Sequence, residues 1–131
     1  MQGKETVLED YAFLVSETDE KGNIIFANDD FCEIAEYTVD ELIGKPHSIV
    51  RHSDMPKVAF KDLWDTVKAG KVWTGYVKNG TKSGGYYWVF ATVFPTTTSE
   101  GSKGYLSCRR KASKEEIEEH EALYQELKAK E

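Results

Sequence analysis

With 131 residues, 40% of them hydrophobic and 31% charged, the chain has the size and polarity of one globular domain that can close a single core around one small ligand. A formal net charge of -6 and a pI near 5.1 exclude nucleic acid held by a basic stripe, and an electrostatic membrane anchor for the same reason. No apolar run approaches the roughly 20 residues that cross a bilayer, and Met1 to Asp10 has neither the basic start nor the apolar stretch of a signal peptide, so a cytoplasmic location is expected.

In chain order, residues 1–10 are polar with scattered apolar positions and read as a short N-terminal helix or cap. Ala12 to Ser16 and Ile24 to Ala27 are compact apolar runs on either side of Thr18-Asp19-Glu20-Lys21-Gly22-Asn23, the composition of a β-hairpin turn. From Asn28 the apolar period lengthens through Phe31, Ile34, Ala35, Leu42 and Ile43, predicting short helices broken near Tyr37-Thr38 and at Gly44-Lys45-Pro46, with Thr38 or Asp40 as a cap. His47 to Met55 is aperiodic and reads as a loop with one helical turn. Pro56 opens a longer helix through Val58, Phe60, Leu63, Trp64 and Val67 that stops at Gly70.

Val72 to Lys82, Tyr86 to Phe94 and Ser102 to Arg110 read as three strands, the second being the strongest β signal in the chain, with Pro95 to Gly101 as a polar loop. Ser113-Lys114-Glu115-Glu116 is a capping box that opens a last helix with Ile117, His120, Tyr124 and Leu127 at a/d spacing, a stripe suited to the sheet or to a second copy. The divisions are 1–10 for the cap, 11–111 for the domain and 112–131 for the C-terminal amphipathic helix. The fold class is α+β: an antiparallel sheet with a helical flank and a hollow between them, which is a default ligand site. Cys32 and Cys108 read as two buried small residues, because their spacing suits neither a disulfide framework nor a metal pair.

Several local words resemble the PAS domains, and more closely the FAD-binding PAS domain of bacterial aerotaxis receptors. They are Phe26-Ala27-Asn28-Asp29, Tyr37-Thr38, Glu41 to His47, Val50-Arg51-His52-Ser53-Asp54-Met55-Pro56, Ala59-Phe60 with Leu63-Trp64, Trp73-Thr74-Gly75, Val77-Lys78-Asn79 and Tyr87-Trp88-Val89. The Arg-His-x-Asp-Met-Pro stretch is the most specific of them. The resemblance implies a PAS fold with a five-stranded antiparallel sheet, short helices, one longer helix and a C-terminal signalling helix. It also implies FAD in the hollow, redox, oxygen or energy sensing, and output to a chemotaxis receptor or kinase, either within a homodimer or through a partner domain of the same chain. Asn28, Arg51, His52, Asp54, Trp73 and Asn79 keep the residue types that matter for FAD in that family, and His47 stands in one of the matching words. Ser53, where proline is common, and Asn79-Gly80-Thr81, less basic than usual, depart from the pattern.

The residue chemistry suits a flavin, whose ring needs flat walls and a few fixed hydrogen-bonding groups. Phe60, Trp64 and Trp73 supply walls, and Asn28 and Asn79 each carry a donor and an acceptor for the ring edge. Arg51 suits a pyrophosphate, while Asp54 orients His52 or caps the following helix. Each has a structural alternative: Asn28 as a helix cap, Trp64 as core, and Arg51, His52 and Asp54 as a solvated salt bridge. His47 and His52 lack a third ligand for a metal. No nucleophile elbow, phosphate-cradling glycine loop or kinase signature is present, so the chain is expected not to be an enzyme. Three other readings stay open: a cofactor-free dimerisation or docking module, a haem sensor with His47 or His52 as axial ligand, and a small-metabolite sensor.

Overall fold

The computed structural model describes residues 3–131. The elements in chain order are β1 (Phe13–Asp19), β2 (Ile24–Ala27), α1 (Asp29–Ala35), α2 (Val39–Leu42), a single 3-10 turn (His47–Val50), α3 (Lys57–Lys68), β3 (Trp73–Gly80), β4 (Tyr86–Thr97), β5 (Lys103–Lys111) and α4 (Lys114–Ala129). The strands form one sheet in the order β2-β1-β5-β4-β3, antiparallel at every pairing. This is the α+β architecture expected from the sequence. Among the described residues no helix is long and apolar enough to cross a membrane.

Several boundaries move for local reasons. The segment before β1 is extended rather than helical: Thr6 N–H donates to Tyr86 O at 2.8 Å, Tyr86 N–H donates to Lys4 O at 3.2 Å, and Leu8 is buried. Pro95 lies inside β4 and not in a loop. β3 ends opposite Val93, at Trp73, so a residue lacking an N–H sits where β4 has become an edge and costs no ladder bond on that side. The loop that remains is short.

The helix signals in the sequence are realised as hydrogen bonds. Thr38 and Glu41 form a reciprocal capping box on α2, as Ser113 and Glu116 do on α4. α3 ends at Lys68 and is followed, after Ala69, by Gly70, whose φ of 84° is the left-handed conformation that glycine adopts without strain. α4 packs on the outer face of the sheet over β3 and β4. Tyr124 Oη donates to the Tyr76 carbonyl at 2.6 Å and its ring stacks on Trp88, while His120 lies 4.2 Å from the Tyr76 ring and the Tyr76 hydroxyl meets the Glu116 carboxylate. The stripe that suited either a sheet or a second copy is thus used on the sheet of its own chain, with Ile117 and Leu127 against the core.

Candidate functional site

Period-two alternation decides which side chains face the helical flank. Cross-strand rows on the inner face run Leu14, Arg109, Ala91, Gly75, then Ser16, Ser107, Val93, Trp73. Small side chains at 91 and 107 beside long ones on α3 leave a cavity of about 290 Å³ between sheet and helices. Its apolar wall comes from Phe60, Leu63 and Trp64 on α3 and from Val77, Ala91 and Val93 on the sheet. Trp64 stands edge-on to Tyr105, centroids 5.2 Å apart at 82°. The polar lining includes Asn79, His47, Ser107 and Thr18, and the charged lining is Lys21, Arg51 and Arg109. No Asp or Glu lines it, in a chain that carries 23 of them. The wall is cationic where the protein as a whole is anionic.

Arg109 organises the floor. It is 3% exposed, and its guanidinium sits 4.4 Å above the Phe31 ring. It donates from Nη1 to Ser107 Oγ (2.9 Å) and His47 Nε2 (3.2 Å), and from Nη2 to Ser16 Oγ (2.9 Å). These partners are all neutral. Burial therefore pulls the guanidinium down to about 10, with no carboxylate to restore it. Arg109 Nε and Thr18 Oγ1 are buried without a hydrogen-bond partner among the described residues, and both residues line the cavity. Orphaned buried polar atoms at a cavity wall suit a ligand with acceptors on its edge.

His47 is the counterpart of this cation. Its ring stacks on Phe31 at 5.7 Å, and Nε2 also meets Ser16 Oγ at 2.9 Å. Because Arg109 donates to Nε2, the ring is neutral with its proton on Nδ1. Burial, then the Arg109 and Arg51 charges, hold its pKa down to about 3.

The residues singled out in the sequence divide into two groups. His47, Arg51, Phe60, Trp64 and Asn79 line the cavity; Asn28, His52, Asp54 and Trp73 do not. Asn28 caps α1: Oδ1 accepts from Phe31 N (3.1 Å) and Val15 N (3.0 Å), while Nδ2 donates to Phe13 O (2.8 Å). The Arg-His-x-Asp run splits. Arg51 turns to the cavity and stacks over Phe60 at 3.7 Å, whereas His52 edges Tyr86 and accepts from Asp54 N, and Asp54 pairs with the buried Lys78 at 2.7 Å. Asn79, 4% exposed, comes from β3 beside the Tyr87 hydroxyl.

Trp73 closes one end of this region without lining the cavity. Its Nε1 donates to Asp62 Oδ2 on α3 at 2.9 Å, and its ring covers Gly75, where a Cβ would come within 2.5 Å of ring carbons. Gly75→Ala is expected to force the indole off Asp62 and to cost about 1–3 kcal/mol through overpacking. Urea midpoints and near-ultraviolet circular dichroism measure both effects, and an unchanged midpoint with an unchanged tryptophan signal would refute the packing argument.

Arg109, Ser16, Ser107, Thr18 and Lys21 belong to the site but were not singled out in the sequence. A signal for Arg109 did exist: Tyr105, Ser107 and Arg109 share one phase of β5, so an arginine falls on the phase of the buried Tyr105.

A model of the PAS fold matches residues 24–109. The aerotaxis receptor of Escherichia coli is 47% identical over 124 residues, which is 95% of this chain and 24% of the receptor. The nitrogen fixation regulatory protein of Klebsiella oxytoca is 28% identical over 109 residues, 82% of this chain and 22% of that protein. The chain thus spans less than a quarter of the length of these two curated relatives. Among solved structures, the dark structure of the blue-light photoreceptor Aureochrome1 LOV matches with a TM-score of 0.70 at 18% identity, covering 85% of this chain and 86% of that chain, which shows a shared fold. The family match runs from β2 through β5 and so takes in most of the sheet and all of α3: the chain belongs to the PAS-fold family.

Proposed function

We propose that this domain is a signal-transduction sensor that holds a flavin, FAD in the fullest form of the reading, and passes its redox state to a partner without catalysing a reaction itself. One observation carries the proposal: a cavity with aromatic walls, three cationic lining residues, no carboxylate and an orphaned guanidinium Nε. Such a wall suits a flat, acceptor-edged ring that gains negative charge on reduction. The likeness to the aerotaxis receptor supports sensing of oxygen, redox or energy state, on the cytoplasmic side, with a receptor or kinase as output.

Phe60, Leu63 and Trp64 would bound the ring, and Asn79, Arg109 and Thr18 would meet its edge. A bound flavin supplies reversible one- or two-electron transfer. The protein's part is to bind, to exclude water and to register a change at the edge. Asn79 is suited to that last task, because its amide offers both donor and acceptor and sits on β3. The opposite face of β3 carries Tyr76 and Lys78, which hold α4 through Tyr124 and pair with Asp54. Re-pairing at Asn79 would therefore reach α4 through one strand. Asn28, which the sequence offered beside Asn79 for the ring edge, is committed to α1 and β1.

Haem is disfavoured by the geometry of its would-be ligands. His47 Nε2 already accepts from a cation, and His52 does not line the cavity. The a/d stripe that favoured a cofactor-free docking module is consumed on the sheet.

Purified protein is expected to be yellow, with flavin absorption bands, and denaturation should release a compound of FAD mass. Asn79→Ala is expected to weaken flavin binding about tenfold, the worth of one hydrogen bond from a buried amide, and to uncouple α4 protection from flavin reduction. Fluorescence titration and hydrogen exchange read the two effects. Colourless folded protein that takes up no added flavin would end the reading.

A further inference from the structure

Lys21 lies in the turn between β1 and β2, and that turn is held rigidly. Asp19 Oδ1 accepts from Lys21 N at 3.0 Å and Asn23 N at 2.9 Å, and Gly22 N donates to Asp19 O. The turn and the start of β2 are also tied to the 3-10 turn and the segment before it: His47 N donates to Gly22 O at 3.0 Å and Ile24 N to Lys45 O at 2.8 Å. On its other side Gly22, at a φ of 88°, lies against α3, where an added Cβ would be 3.4 Å from the Trp64 ring. Three walls meet here, and Lys21 and Arg51 both line the cavity while remaining exposed, which places them at its mouth.

Neither cation has a carboxylate partner among the described residues. Arg51 stacks its π face on Phe60, an arrangement that leaves its in-plane N–H donors for an acceptor. A flat apolar interior of about 290 Å³ behind two unpaired cations matches a molecule with a ring at one end and a fixed negative charge at the other. The volume lies near the lower end of ligand cavities, roughly 300–1,000 Å³, so a tail carrying that charge would extend to the mouth.

We propose that Lys21 is the residue that selects phosphate-bearing flavins over phosphate-free flavin, receiving the phosphate at the mouth together with Arg51. The proposal depends on the flavin reading above and goes beyond it by assigning a discriminating residue on the hairpin turn.

The test titrates riboflavin, FMN and FAD into flavin-depleted protein by fluorescence, for wild type, Lys21→Gln and Lys21→Arg. Wild type is expected to bind FMN and FAD at least about tenfold more tightly than riboflavin, with the difference shrinking as salt rises. Lys21→Gln should remove most of that preference and leave riboflavin within about twofold of wild type, and Lys21→Arg should restore it. An exposed turn position makes both variants compatible with folding, and circular dichroism checks this. Equal weakening of all three ligands by Lys21→Gln would make Lys21 a structural residue and overturn the proposal, as would an unchanged preference. Folded wild type that binds none of the three would overturn the flavin reading and this proposal together, an outcome distinct from the other two.

Discussion

Arg109→Met is expected to stabilise the ligand-free protein and to strip it of flavin, two changes of opposite sign from one substitution. The stability gain follows from the state of the guanidinium. It is buried, its hydrogen-bond partners among the described residues are Ser16, Ser107 and His47, and burial pulls its pKa well below the usual arginine range to about 10. A base with a folded-state pKa below its unfolded one penalises the folded state wherever the group is charged. That penalty is in full force at neutral pH and vanishes only above the unfolded value. At 1.36 kcal/mol per unit the cost is about 3 kcal/mol, part of which an apolar side chain of similar length should recover. Urea unfolding of flavin-free protein is expected to show a gain of about 1–3 kcal/mol.

The loss of flavin follows from the same facts. On the flavin reading, the cation left uncompensated in the apoprotein would be compensated by an electron-rich ring edge, so removing it should cost about ten- to hundredfold in affinity, more for the reduced ligand than for the oxidised one. Arg109→Lys should fall between, retaining the charge but not the fork. Retention of flavin at wild-type affinity by Arg109→Met would show that the guanidinium faces no ligand, and a destabilised apoprotein would show that the Ser16-His47-Ser107 network outweighs its own desolvation.

The strands and helices were legible because their signals are local. Ser113 is legible as a cap from its three-residue spacing to Glu116, Thr38 only as one of two cap candidates with Asp40, and Tyr86 to Phe94 as a strand from its β-branched and aromatic content. Pro95 misled because its effect depends on where the neighbouring strand stops, and residue order does not reveal that. The site was half legible for a similar reason. Asn79 and Arg51 could be read from residue type and resemblance. The separation of Arg51 from His52 and Asp54 comes from the extended backbone after the 3-10 turn, which sends successive side chains to opposite sides, and from the buried Lys78 that captures Asp54. Lys21 is invisible in the sequence because a lysine in a hairpin turn is ordinarily solvated; it gains a role only when His47 and Trp64 are folded against that turn.

The inner and outer faces of β3 join the cavity to α4 through a single strand. Val77 and Asn79 line the cavity, and Tyr76 and Lys78 alternate with them on the side that bears α4. Under the proposed relay, β3 would respond by a change of side-chain pairing rather than by displacement, since its eight-residue ladder with β4 is unbroken from Trp73 to Gly80.

His47 connects this architecture to pH. A base whose folded pKa is about 3 and whose ordinary value is 6.5 takes up its proton more readily in the unfolded chain. Stability is thus complete above pH 6.5 and is lost as pH falls from there toward 3, at up to 1.36 kcal/mol per pH unit, or about 3 kcal/mol by pH 4. Arg109 and Arg51 sharpen the effect by repelling a second positive charge, and no carboxylate lines the cavity to relieve it. Two other sources share the sign. His52 is also held below its ordinary value by burial and by Lys78, and the lowered carboxyls of Glu36, Glu41, Glu116 and Glu131 contribute only in the carboxylate range. The window between pH 6.5 and 5 therefore belongs to the histidines. His47→Gln keeps an acceptor for Arg109 but cannot titrate, so its urea midpoint should vary little across that window while the wild-type midpoint falls, the residual slope being that of His52. Parallel curves for the two proteins would mean that the imidazole reaches water or a counter-charge in solution, and the buried cation at Arg109 would then lack the neutral acceptor on which its position depends.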